Sequence, residues 1–160
     1  MSGIMMSMMN NVQPTYPPYT FYEAFGTTVA ISTTQYVGAT KIYAYSSTFD
    51  VPGYQNAVIQ VNDVTIVNAA VRGHTMAVLS PSGATVSTTN YDTYGDPNAV
   101  TAMANALNAV ASGNRAVLVV WDASALNASA RSAINSGYGS TNSNTWVSGR
   151  TSHIFIGVKS

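Results

Sequence analysis

The chain has 160 residues, enough for one domain with a sizeable core, since a domain of this length hides roughly 68–70% of its unfolded surface on folding. Six Lys and Arg cancel six Asp and Glu, and charged residues make up 8% of the sequence against the roughly 25% usual for soluble domains, so there is no basic footprint for nucleic acid. The absence of cysteine excludes disulfides and thiolate zinc sites, and two histidines with six scattered carboxylates leave little material for a metal cage.

In chain order, residues 1–24 read as an extended Met- and Pro-rich arm. Five methionines fall in the first nine residues, without the basic start, long apolar core and small-residue cleavage site of a secretory signal. The run is also too short to span a membrane. Methionine is the adaptable filler of irregular apolar grooves, so Ile4, Met5, Met6, Met8 and Met9 are expected to dock on a partner subunit, with tucking back onto their own domain as the alternative. Pro14, Pro17 and Pro18 hold the next stretch extended, as a spacer or strap.

Residues 25–160 read as one globular, β-rich domain. Between Phe25 and Phe49, Thr, Val, Ile and Tyr predominate, which predicts two or three strands broken near Gly38 and ended by a turn at Asp50-Val51-Pro52-Gly53. Ala57–Val61 and Val64–Val67 flank Asn62-Asp63 as a hairpin with a two-residue turn, its type left open because Asp tolerates a positive φ less well than Gly. A second hairpin runs from Thr75 through Pro81-Ser82-Gly83 to Thr89.

Asp96-Pro97 starts a helix whose apolar face is Val100, Met103, Ala104, Leu107 and Ala111, with Gly113 as its stop. The continuous apolar run Ala116–Trp121 suits a central strand covered on both faces. Asp122 is placed to cap a second helix, with Leu126, Ala130, Ala133 and Ile134 inward and Gly137 at its end. A polar, glycine-containing loop around Trp146 leads to a last strand over Ile154–Lys159. The expected fold class is therefore α+β: a β-rich, sandwich-like domain with two helices packed on the sheet, plus the N-terminal arm.

The few ions fall at ordered positions: Arg72-Gly73-His74, Tyr91-Asp92-Thr93-Tyr94, Asp122, Arg131, and Arg150 to His153 ahead of Phe155-Ile156-Gly157-Val158-Lys159. Over about residues 56–160 this order resembles the interleukin-like epithelial-mesenchymal transition inducer family, the ILEI or PANDER-type domain found in secreted cytokine-like proteins, glycosyltransferase stems and some viral proteins. The family is not an enzyme family in itself, and some of its stem domains are implicated in glycan binding. This chain lacks the cysteines and secretion signal of the secreted animal members, and His153 stands where an aromatic is usual, which disfavours a signalling ligand. Its Met-Ser-Gly opening resembles that of many bacteriophage structural proteins.

Arg72, Asp92, Asp122, Arg131 and Arg150 are expected to form up to two Arg-carboxylate pairs that pin loops to the sheet. His74 and His153 have no carboxylate or cysteine at ligand spacing and read as strand-end hydrogen bonders. Tyr36, Tyr43, Tyr45, Tyr91 and Tyr94 read as cross-strand packing. No catalytic motif, metal site or cofactor site is expected. The functional expectation is a non-enzymatic virion protein, a capsid, neck or tail component of a tailed phage. Its arm would hold it to other virion proteins or to copies of itself. The alternative is a carbohydrate-binding or host-surface adhesion module, with Arg72, His74, Asp92, Tyr94, Trp146 and Arg150 as the contact residues.

Overall fold

The computed structural model describes residues 21–146 and 148–160. The arm residues Ile4, Met5, Met6, Met8 and Met9 lie outside the described residues. In chain order the strands are β1 Phe21–Thr27, β2 Ile31–Val37, β3 Thr40–Thr48, β4 Ala57–Val61, β5 Val64–Ala69, β6 Gly73–Leu79 and β7 Thr85–Tyr91. Helix α1 Pro97–Ala109, β8 Arg115–Asp122, helix α2 Ala128–Tyr138, a 3-10 turn Asn142–Thr145 and β9 Thr151–Val158 follow. The domain is α+β and β-rich. The expected arm overlaps β1, because Phe21–Ala24 pair with Ile154–Gly157.

Five strands run antiparallel in the order β1-β9-β8-β6-β7, and β2-β3-β4-β5 form a second antiparallel array. Period-two alternation assigns each inner side chain to one of two cores. Ala116 and Leu118 of β8, Met76 and Val78 of β6 and Phe155 of β9 pack against Val100, Met103, Leu107, Ala130 and Ile134 of the helices. Val117, Val119, Ile154, Ile156, Ala77 and Leu79 point the other way, onto Ile42, Ala44, Ile59 and Val61 of the second array. The apolar run in β8 is thus covered on both faces, and the helices and the two arrays form three layers.

The two arrays join where β8 and β9 part. Their pairing stops at Val119 and Ile154, and β3 enters alongside β8, with Ser47 and Thr48 opposite Trp121 and Asp122 in parallel. Ser46 stands in the fork. Its hydroxyl donates to the Val120 carbonyl at 2.9 Å and accepts from the Val120 and His153 amides, each at 3.1 Å.

Local chemistry explains where the elements start and stop. Asn62 and Asp63 both take positive φ, 50° and 67°, so the β4-β5 turn is the mirror-image form that matches strand twist. Lys41 secures it, its amide on Asn62 and its ammonium 2.8 Å from Asp63. Asp96 caps α1 by accepting from the Asn98 amide. The helix ends earlier than Gly113, however: Val110 turns out of helical geometry and stays buried, while Ala111 lies exposed beyond it. Gly113 instead serves the turn into β8 and donates to the Lys159 carbonyl.

Asp122 does not cap α2. It ends β8, and Asn127 caps the helix by accepting from Ala130 at 2.9 Å. Gly137 lies inside α2 against the Lys159 stem, and the left-handed Gly139 closes the helix.

Candidate functional site

The two ordered motifs fold onto each other residue by residue, because β6 and β7 place His74 opposite Tyr91. Arg72 grips Asp92 with a two-pronged contact, Nε to Oδ1 at 2.9 Å and Nη2 to Oδ2 at 2.7 Å. Gly73 brings the backbones together at φ +101°; a Cβ there would lie 2.1 Å from the Tyr91 carbonyl oxygen. His74 then reaches inward, its Nδ1 2.8 Å from the Thr93 hydroxyl. Asp92 also accepts from the Gly95 amide. The Arg72 guanidinium, followed by backbone amides, holds the Asp92 carboxyl below the ordinary carboxylate range.

At the surface Arg72 lies 5.6 Å from the centre of the Tyr94 ring, which is 52% exposed. A similar unit sits across the strand end. Asp122, with φ +72° as β8 finishes, bonds Arg150, whose guanidinium lies 5.2 Å from the centre of the exposed Phe49 ring. Phe49 packs on Tyr54, and Tyr54 on Trp121. Because Gly73 pairs with Trp121, Arg72 sits beside Asp122, whose charge also favours its guanidinium form. Both expected Arg-carboxylate pairs therefore form, and they share one end of the sheet.

Beneath this surface runs a closed polar chain. His74 Nε2 meets His153 Nδ1 at 2.9 Å, His153 Nε2 meets Glu23 Oε2 at 2.6 Å, and the Ser140 hydroxyl donates to Glu23 Oε1 at 2.5 Å. The side chains of His153 and Glu23 have no solvent exposure, and His74 is fully buried. Burial, and then the neighbouring His153, push His74 well below its ordinary value near 6.5, so it is neutral and carries one ring proton. Two proton arrangements satisfy the chain. Donation can run from Thr93 through His74 and His153 to Glu23. Alternatively, a doubly protonated His153 donates both ways and His74 turns its proton to Thr93. Either way every ring nitrogen is partnered, and β1, β6, β9 and the segment after α2 are tied together.

The six expected contact residues thus divide. Arg72, Asp92, Tyr94 and Arg150 share the outer surface, whereas His74 and Trp146 lie in the interior. Trp146 is 3% exposed and packs edge-on to His153, because the loop around it folds inward and Arg131 bonds its carbonyl. The aromatic platform beside Arg150 is Phe49, with Tyr54 and Trp121 behind it. Sequence reasoning also missed Glu23, the lone glutamate. Its signal was the alternation Phe21, Glu23, Phe25, which puts a carboxylate on the same strand face as two core aromatics.

The structure defines a three-layer α+β domain whose ordered motifs build a doubly salt-bridged strand end over a buried histidine pair. The family model described as interleukin-like EMT inducer matches residues 72–160, more than half of the chain. This chain belongs to that family. The match opens at Arg72, later than the resemblance from about residue 56, so β1 to β5 lie outside it, Glu23 included. No curated protein matches the chain.

Proposed function

We propose that this chain is a non-enzymatic binding module that takes carbohydrate at the exposed strand end. The observation that supports the reading is the pair of arginines, each held by an aspartate and each lying over an exposed aromatic ring. A sugar presents apolar C–H faces and a rim of hydroxyls. Tyr94 and Phe49 offer flat apolar surface for the faces, and the fixed guanidinium and carboxylate groups offer donors and acceptors for the rim. Arginines already held in place lose little freedom on binding. The test is a glycan array followed by calorimetry with the best hit. Binding that weakens in Tyr94→Ala and Phe49→Ala supports the reading, and a blank array at all salt and pH conditions overturns it.

A second reading concerns where the module is carried: as a structural component of a virion, in capsid, neck or tail, held by its arm. The low charge and the Met-rich opening favour it, since hydroxyl and amide surfaces are less costly to desolvate than ions. Light scattering on the full chain beside one beginning at Phe21 tests this reading. A cut at Gly26 would remove Glu23 and confound the result. Identical monomer masses would refute assembly through the arm.

A further inference from the structure

Strand β7 pairs with β6 alone among the described residues, so one edge of the five-stranded array is free along Thr85–Tyr91. Natural edges are blunted by charge, proline or brevity. This one has seven residues, none charged and none proline, and six of them are exposed. Beside it a groove of about 450 Å³ opens between β7 and α1. Met76 and Val78 form its floor, Ala106, Ala109 and Val110 its helix wall, and Ser87 the middle of its strand wall. Among the described residues, none that lines it is charged. An extended segment laid along this edge would gain main-chain hydrogen bonds and present every second side chain to the groove.

The chain contains such a segment. In Ile4-Met5-Met6-Ser7-Met8-Met9, alternate positions 4, 6 and 8 are all apolar, and methionine adapts to an irregular groove. The length of the tether sets how far the segment reaches. The described chain begins at β1, the opposite edge of the array from β7. Four strand spacings put these edges roughly 19 Å apart. The eleven residues from Asn10 to Thr20 include Pro14, Pro17 and Pro18, and in the extended form that prolines favour they span roughly 34 Å. That reach covers the chain's own groove and extends beyond it to a neighbouring copy, the occupant that the assembly reading selects.

We propose that residues 4–9 of one copy add as a strand to the free edge of β7 in a second copy, with Ile4, Met6 and Met8 seated in the groove beside α1. The proposal rests on the assembly reading and names its contact surface. The absence of cysteine makes a direct test clean. Full-length Met6→Cys is mixed with full-length Ser87→Cys or Thr89→Cys, two positions apart to cover register, and oxidised. Met6→Cys with Ser32→Cys, exposed on β2 in the other array, is the control. The expected result is a reducible adduct of twice the chain mass with the β7 partners and none with the control.

If light scattering shows an oligomer but the β7 partners give no adduct, the groove is refuted while assembly through the arm stands. If one chain carrying both Met6→Cys and Ser87→Cys closes on itself as a monomer, the second copy is refuted. A monomer with no adduct refutes both readings.

Discussion

His153 and Glu23, 130 positions apart in the chain, meet at 2.6 Å in an interior closed to water. Removing Glu23 leaves the buried His153 Nε2 and the Ser140 hydroxyl without their acceptor, at about 1–3 kcal/mol for each unsatisfied group. Glu23→Ala is expected to lose stability on that scale in urea unfolding. A value near zero would mean the contact contributes nothing net.

The neutral His74 makes stability depend on pH. Its folded value lies well below 6.5, so in acid the unfolded chain takes up a proton that the folded chain refuses. This contribution is complete above about 6.5 and fades as pH falls below it, by up to about 1.4 kcal/mol per pH unit. Urea midpoints at pH 7.5 and pH 5 should show the drop, and His74→Gln should flatten the slope even if it lowers the plateau.

Gly73→Ala combines a φ of +101° with a Cβ driven into the Tyr91 carbonyl and the Thr93 amide. A loss of about 3 kcal/mol or more is expected, measured by thermal and urea unfolding. Gly53→Ala, at φ +69° with open space around it, isolates the dihedral strain and should cost about 1–2 kcal/mol.

Tyr94→Ala and Phe49→Ala remove exposed rings, so stability should shift by no more than about 0.5 kcal/mol. Loss of a stacking ring should weaken glycan binding by about 0.5–1.5 kcal/mol, roughly two- to tenfold. Calorimetry that finds affinity unchanged in both variants would place the contact elsewhere.

Much of this architecture was legible where the signal is local. The Asp96-Pro97 start of α1, its buried face from Val100 to Leu107, the run in β8 and both hairpins follow from spacing within a dozen residues. The two arginine pairs were legible as chemistry, since a nearly uncharged chain has few other partners to offer. What the sequence hid was set by distant contacts. Asp122 looks like a helix cap, but its carboxylate is claimed by Arg150, 28 positions on. Trp146 sits in a polar stretch, and only the closure of that stretch over His153 buries it. The Glu23 link joins residues on strands first and last in the order.

The fork held by Ser46 has a consequence for synthesis. Its hydroxyl needs Val120, 74 positions later, and the His153 amide, 107 positions later. Strand β9, which lies between β1 and β8, is last of the described strands in chain order. While the chain is being made, β1 therefore has no partner and the fork has no second tine until β9 leaves the ribosome. The β2-to-β5 array can form early from neighbours, but the five-stranded layer closes in one late step, slow for a chain of this size because its contacts span nearly the whole length. Cutting the chain within β9 would leave four antiparallel strands beside an unfinished layer, not a smaller version of the domain.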